Sequence, residues 1–531
     1  MSAPRPLHDD LPLLTRLGRR RWIALVIGVA GLVACGLDAP AHPSEVIQSY
    51  FIAWLYFLGL TIGSMTTLMI HHLTGGDWGQ PVRRWLEAAL APMLLLAVLF
   101  VPVGLGLPHL FTWAIAGTEL TRLDGSSQQW FLDPTFFLLR AGLYLAVWLL
   151  LSRLVVRGMR HGRPLTAVCA AGLLAYAVTA MFASVDWIDS LMPLWYSTAA
   201  GLIFMTSQNL GAFALAVLCA TASHLSHTRS PAGLATESPQ APPDLTPDRC
   251  IDLGTLLFVY VLTWAYVAFS QWIIVWGGDL PHETAWYLPR WHSSWRWVTY
   301  TIECAQFGLP FILLLFRALK RDARAMLLIA ALVLCVHWLY VAWLVKPSLA
   351  SAGVSLAWPD CAATFGVGGL WVWLFLRDLA ASPSFAHGGA EVSVAAQPEE
   401  HPGHAEERRE PQEPSARGLA VAGLVLLAAI IVAVAVSLGL MSLFGGFSGP
   451  LARAEHGTLP EPHLQPHPLT DRARYEARQR GMLTHYAWVD RGAGIVRIPI
   501  DRAMQILAER GGPAGRTTGA AAPAQKERRA P

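Results

Sequence analysis

Six ionisable side chains lie within or at the edges of long apolar runs: Glu87, Arg140, Asp186, Asp189, Glu303 and His337. A charge at membrane depth is unfavourable unless paired or hydrated, so these residues are the candidates for an ion or proton path. No catalytic residue is assigned. Asp186 and Asp189 open the densest polar stretch, ASVDWIDSLMPLWYSTAAGLIFMTSQNLGAFALAVL, from Ala183 to Leu218. It also carries Trp187, Trp195, Tyr196 and Ser197, and it sets Ser207, Gln208 and Asn209 at the centre of the next apolar run. For those three the competing reading is hydrogen bonding between packed helices. Glu87 follows Arg83 and Arg84 by one helical turn, so an intrahelical ion pair competes with a role in proton entry. For His337 the competing reading is a hydrogen-bonded core histidine, and Asp360 opens a later apolar run.

Small-molecule chemistry is narrower. A quinone site needs an apolar cleft with a polar group for each carbonyl, and Tyr266, Ser270 and Gln271 in YVAFSQWIIVW supply suitable donors. Aromatic belt and packing is the competing reading in a chain with 22 tryptophans. Seven cysteines stand singly, without C-x-x-C or C-x-x-C-H, which gives no support for covalent haem, an iron–sulfur cluster or structural zinc held by this chain. Haem b ligation by His337 would need a second buried histidine, whereas His71, His72 and His292 fall at the ends of runs. No metal ligands and no resident cofactor are assigned, and quinol is the small molecule retained.

The elements that must position these residues are membrane helices. The 531 residues are 54% hydrophobic and 14% charged, with a mean hydropathy of +0.42, values that fit a polytopic membrane protein rather than a soluble fold. A net charge of +3 gives no reason to expect nucleic acid as a partner. About 20 apolar residues cross a bilayer. Eleven runs are expected, beginning near Trp22, Ser49, Trp85, Pro134, Leu165, Leu194, Leu253, Trp295, Ala325, Trp358 and Leu419. The run after Arg19, Arg20 and Arg21 continues without an A-x-A-like cleavage site, so a cleavable signal is not expected. With the N-terminus inside, twenty-one Lys and Arg fall on the cytoplasmic side against Arg122, Arg290, Arg296 and Lys346 opposite. That asymmetry predicts a cytoplasmic N-terminus and an external tail after the eleventh span.

The expected organisation is a cytoplasmic tail (1–21), a first membrane half (22–227), a Pro, Ser and Thr rich linker (228–250) and a second half (251–381). A Pro, Glu and His rich linker (382–417) follows, whose His387, His401 and His404 lack metal-site spacing. Then come an additional span (418–444), a small external segment (451–512) and a polar tail (513–531). In that segment Thr470 caps a predicted helix to about Gly481, GIVRIPI has strand character, and Pro499 to Arg510 predicts a second helix. So short a segment predicts docking on a partner. Spans two and six each start with aromatics (Tyr50 and Phe51; Trp195 and Tyr196) and carry small residues at the centre. Spans two to five and six to nine then form a parallel repeat. The fold expected is all-α and polytopic: two four-helix bundles plus flanking helices.

GLTIGSMTTLMIHHLTGGDWGQPVRRWLEAAL (Gly59 to Leu90), DWIDSLMPLWYST (Asp186 to Thr198) and DLGTLLFVYVLTWAYVAFSQWIIVWGGDLPHET (Asp252 to Thr284) resemble the F-type membrane component of bacterial alternative complex III. That complex is a quinol:cytochrome c oxidoreductase, and the component belongs with the NrfD/PsrC-like membrane proteins; the resemblance covers roughly Ser49 to Ala380. It implies a ten-span core in the bacterial inner membrane, haem and iron–sulfur groups on partner subunits, a homologous membrane subunit as the usual quinol site, and a part in carrying protons. Where the family pattern has an acid and a histidine after D-W, this chain has Met192 and Leu194, which leaves Asp186 and Asp189 to carry a proton at that end. PEPHLQPHP and YAWVDRGAGIVRIPIDRAM resemble a segment of small proteins associated with respiratory oxidases. The alternatives are a secondary transporter, favoured by helix breaks at matched positions of the two halves, and a structural scaffold.

Overall fold

The computed structural model describes residues 11–115, 131–193, 195, 197–228, 245–349, 353–354, 357–381, a few positions between 428 and 435, and 468–510. It divides into one unit up to Leu427 and another from Ala428, which are described separately. Among the described residues of the first, nine helices are long and apolar enough to cross a membrane, and a bent pair makes a tenth. The chain is an integral multi-pass membrane protein of the all-α class. Of the linker expected at 228–250, Thr228 ends one helix and residues from Pro247 begin the next, while 229–244, the linker 382–417 and almost all of the eleventh expected span lie outside the described residues.

Helix α1 (Leu11–Asp38) leads to α2 (Pro43–Thr74), which is apolar on every side and forms the axis of the bundle. Every residue from Ser49 to Met69 is buried, the expected state of a helix without a polar face. It ends at Gly75 and Gly76, whose φ values of 68° and 92° are closed to most side chains. The third span is broken: α3 (Gln80–Ala88) and the helices α4 (Met93–Val98) and α5 (Val101–Leu105) meet at a 46° bend. Pro92 at the break cannot donate to a preceding carbonyl, which accounts for the kink. Asp133 caps α6 (Pro134–Arg160), its side chain accepting from the Phe136 N–H at 2.9 Å.

Next come α7 (Thr166–Trp187), α8 (Ala200–Thr228) and α9 (Pro247–Gly278). The eighth span starts as α10 (Trp295–Ile302), passes through a π-helical turn at Glu303–Gly308, and resumes as α11 (Leu309–Leu315). Pro310 is the local cause, because it has no N–H for the Gln306 carbonyl that an α-helix would pair with it. Helices α12 (Ala323–Leu349) and α13 (Trp358–Ala381) complete the unit.

Packing groups α2, the bent third span, α6 and α7 in one bundle and α8, α9, α10–α11 and α12 in another, with α2 against α8 between them. Helix α13 lies on α2, and α1 lies on α13. The close approaches use glycine: a Cβ on Gly63 would sit 2.2 Å from the Gln208 carbonyl oxygen, and one on Gly31 would sit 2.5 Å from that of Ala362. Without a hydrophobic drive between helices in lipid, such backbone proximity is what dispersion attraction requires.

In the second unit, α14 (Pro468–Thr484) is followed by an antiparallel hairpin of β1 (Ala487–Asp490) and β2 (Ile495–Arg497), in which Trp488 faces Val496, and by α15 (Ile500–Arg510). The expected strand and both helices are present, while β1 was not predicted. Asp490 turns the hairpin by accepting from the Gly492 and Ala493 N–H groups at 2.8 and 3.1 Å. No described residue of the helix–hairpin–helix segment 468–510 is buried.

Candidate functional site

Arg140 and Tyr144 lie one turn apart on α6, and both reach Asp186 near the end of α7. Arg140 donates through Nε to Oδ2 at 2.9 Å and through Nη2 to Oδ1 at 2.6 Å, and the Tyr144 hydroxyl donates to Oδ2 at 2.8 Å. The guanidinium is also held by the Phe131 carbonyl at 2.8 Å and stacked 3.9 Å from that residue's ring. This is a bidentate, charge-neutral pair with its carboxylate fully buried. Asp189, three residues on, is buried too, yet among the described residues neither carboxylate oxygen accepts a hydrogen bond at ordinary distance; the Ser197 backbone amide faces it.

At the same end of the bundle, Asp360 accepts from Lys346 Nζ at 2.5 Å, Ser49 Oγ at 2.7 Å and the Ala357 N–H at 2.8 Å. At the arginine-rich end, Glu87 pairs with Arg160 of α6 at 3.6 Å, and Arg160 also meets Asp378 of α13 at 3.2 Å. The ion pair of Glu87 is across the bundle, while Arg83, one turn back on its own helix, also acts on it electrostatically. The Arg160 side chain is 47% exposed, so this pair is weakly held compared with the other two.

Between these ends lies a polar centre on α2, α7, α8 and α12. The Tyr176 hydroxyl donates to Gln208 Oε1 at 2.8 Å, and Thr66 bonds Asn209. One turn from Gln208, Gly211 makes room for His337: a Cβ there would lie 2.5 Å from the imidazole Cδ2. The ring of His337 sits between Tyr56, at 5.7 Å, and Tyr340, at 6.1 Å. Among the described residues, His337 Nδ1, Gln208 Nε2 and both side-chain heteroatoms of the fully buried Gln306 have no partner. Buried amide and imidazole atoms in this state are the places where ordered water is expected.

The remaining candidates separate. Glu303 is exposed and His337 is buried, so the two do not meet. Tyr266 and Ser270 are on an outward face of α9, the Ser270 hydroxyl donating to the Tyr266 carbonyl at 2.7 Å, whereas Gln271 points inward. These three do not converge on one cleft. Among the described residues no three His, Cys, Asp or Glu side chains come together as a metal site.

Two groups escaped sequence reasoning. Arg290, counted there as a loop cation, is buried and donates to the Trp286 and Leu344 carbonyls at 2.6 and 2.9 Å and to Ser348 Oγ at 3.0 Å. It lies 3.5 Å over the Trp286 ring, and the four-residue spacing of Trp286 and Arg290 was the available signal. Burial lowers its pKa, while burial of the neighbouring Tyr287 pushes that phenol up to about 12. Lys346 was also counted with the loops, and only the tertiary fold shows its carboxylate. No protein-family model matches the chain, and no curated protein matches it.

Proposed function

We propose that this chain is a membrane subunit of a quinol:electron-acceptor oxidoreductase resembling alternative complex III, with no redox centre of its own, that assists proton translocation. The observation that carries the proton role is the buried polar centre, in which, among the described residues, Gln208 and His337 keep polar atoms unpaired inside an otherwise apolar bundle, as Gln306 does on the eighth span. Such atoms favour enclosed water, and water with an imidazole can relay protons. Glu87 at the arginine-rich end and Asp189 at the other are the buried carboxyls placed to load and unload that relay. Arg140 and Asp186 hold the Asp189 end in shape rather than exchange protons, because their pair is closed. The sequence resemblance between Ser49 and Ala380 supports the respiratory assignment, with haem and iron–sulfur groups on partners and quinol on a homologous subunit.

The transporter reading loses support from where the helices break. The bent third span has as its repeat counterpart α9, which runs unbroken for 32 residues, and the π turn of the eighth span has as its counterpart the continuous α6.

The test is purification of the tagged full chain from its native membranes in mild detergent, with an absorption spectrum and identification of co-purifying chains. Multihaem and iron–sulfur subunits are expected to co-elute. A colourless chain running alone, under conditions that preserve other membrane complexes, overturns the assignment. In the intact complex, His337→Phe is expected to lower protons moved per electron while quinol oxidation persists; an unchanged ratio removes His337 from the path.

A further inference from the structure

Glu303 puts a carboxyl on the outer surface of a membrane span. It stands eight residues into the 21-residue span that begins at Trp295, about 12 Å along the helix axis. Among the described residues its side chain makes no hydrogen bond or ion pair. Its position is built rather than incidental. Residues three apart on an α-helix share a face, so a regular helix would turn Glu303 and Gln306 the same way. The wider π turn separates them, leaving Gln306 fully buried and Glu303 outside with Cys304. Glu303 continues the exposed face of the α-helical turns before it, the π turn that Pro310 imposes carries Gln306 away from that face, and lipid does not accommodate an unpaired carboxylate.

We propose that this face seats a transmembrane helix of a different subunit, and that the helix brings a lysine or arginine to the Glu303 carboxylate. Charge complementarity selects the occupant. A second copy of this chain offers no cation to match: among the described residues, Arg140 and Lys346 are buried in their own pairs. The exposed span residues Arg153, Arg157, Arg160, Arg324 and Arg377 lie at the arginine-rich end, and Arg296 sits at the head of the span, about 10 Å above Glu303. Tyr300 and Trp297, on the preceding turns, are also exposed and extend the same face with aromatic surface suited to helix packing. The inference requires only that the chain spans a membrane with a partner, so it survives if the redox assignment fails.

Dicyclohexylcarbodiimide, an apolar reagent that adds to protonated carboxyls in hydrocarbon, reads the state of Glu303 directly by mass spectrometry of its peptide. In native membranes Glu303 is expected to be labelled at least 10-fold less than in the same full-length chain produced alone in a foreign host. Equal and extensive labelling in both membranes overturns the proposal. Protection in the foreign host, with the chain running as a dimer, overturns it in favour of self-association. Glu303→Lys is expected to reduce the fraction of the chain in the native assembly at least 10-fold, and Glu303→Gln to reduce it less. Normal assembly of Glu303→Lys also overturns the proposal, and if that variant does not fold when produced alone, the labelling contrast decides.

Discussion

The two halves carry charge at corresponding places and use it in opposite ways. Arg140 on span four and Asp186 at the end of span five form a closed pair in the first half. The repeat expected from the sequence sets span eight against span four and span nine against span five, and there Glu303 and Lys346 give the two charges with the signs exchanged. They are not joined. Glu303 faces outward, and Lys346 takes its carboxylate, Asp360, from α13. The first half is thus stapled internally, while the second depends on a helix outside the repeat and leaves an acid for another molecule. Among the described residues, unpartnered polar atoms occur in both halves, on His337 and Gln306 in the second and on Asp189 in the first.

Breaking the staple gives the largest expected effect. Asp186→Ala strands a buried guanidinium and is expected to destabilise the chain by about 3–5 kcal/mol, read as a lower midpoint in detergent thermal unfolding. The double variant Arg140→Met with Asp186→Leu is expected to recover most of that loss, since apolar replacement of a buried ion pair is often neutral. If the double variant is as unstable as the single one, the pair is more than a staple. Asp360→Ala ranks next, at about 3 kcal/mol by the same reasoning, and its effect should include loosening of α13, seen as faster amide exchange there. An α13 unaffected by Asp360→Ala would show that the second half is closed without that helix.

The polar centre is tested by Gly211→Ala. The added methyl would meet the His337 ring at 2.5 Å, so about 1–3 kcal/mol of overpacking is expected. A Gly211→Ala chain of unchanged stability would mean that the imidazole has space to move. Smaller again is Glu87→Gln, which removes a 3.6 Å pair with a half-exposed arginine and is expected to change stability by under about 1 kcal/mol. Stability loss as large as that of Asp186→Ala would erase the distinction between a gate and a staple.

The spans were legible because apolar length needs no tertiary information: the expected starts at Pro134, Trp295 and Trp358 coincide with observed helix starts. The run expected from Leu194 begins as helix only at Ala200, and Trp195, ahead of it, is buried. Partners were not legible. Asp186 and Arg140 are 46 residues apart and Ser49 and Asp360 are 311 apart, separations that one-turn spacing rules do not reach. The inward face of Gln306 was hidden for another reason: helical period assigns a face only while the helix stays α, and Pro310 changes the turn.

The smallest effect is expected outside the bundle, where the same chemistry is solvated. On α14, Glu476 accepts from Arg472 at 2.8 Å and from Arg480 at 3.4 Å, and these hydrogen bonds and charges hold its carboxyl below the usual range. A depressed carboxyl supports the helix above its unfolded pKa, and that support is lost as pH falls through the folded value. Yet the Glu476 side chain is 41% exposed and both arginines more so, so water and salt screen the interaction. Amide exchange across Pro468–Thr484 in the full chain should therefore be the same for Glu476→Gln and wild type at neutral pH and physiological salt. Measurably faster exchange in the variant would show that this triad is shielded from solvent by a partner, and that it belongs with the buried pairs of the first unit after all.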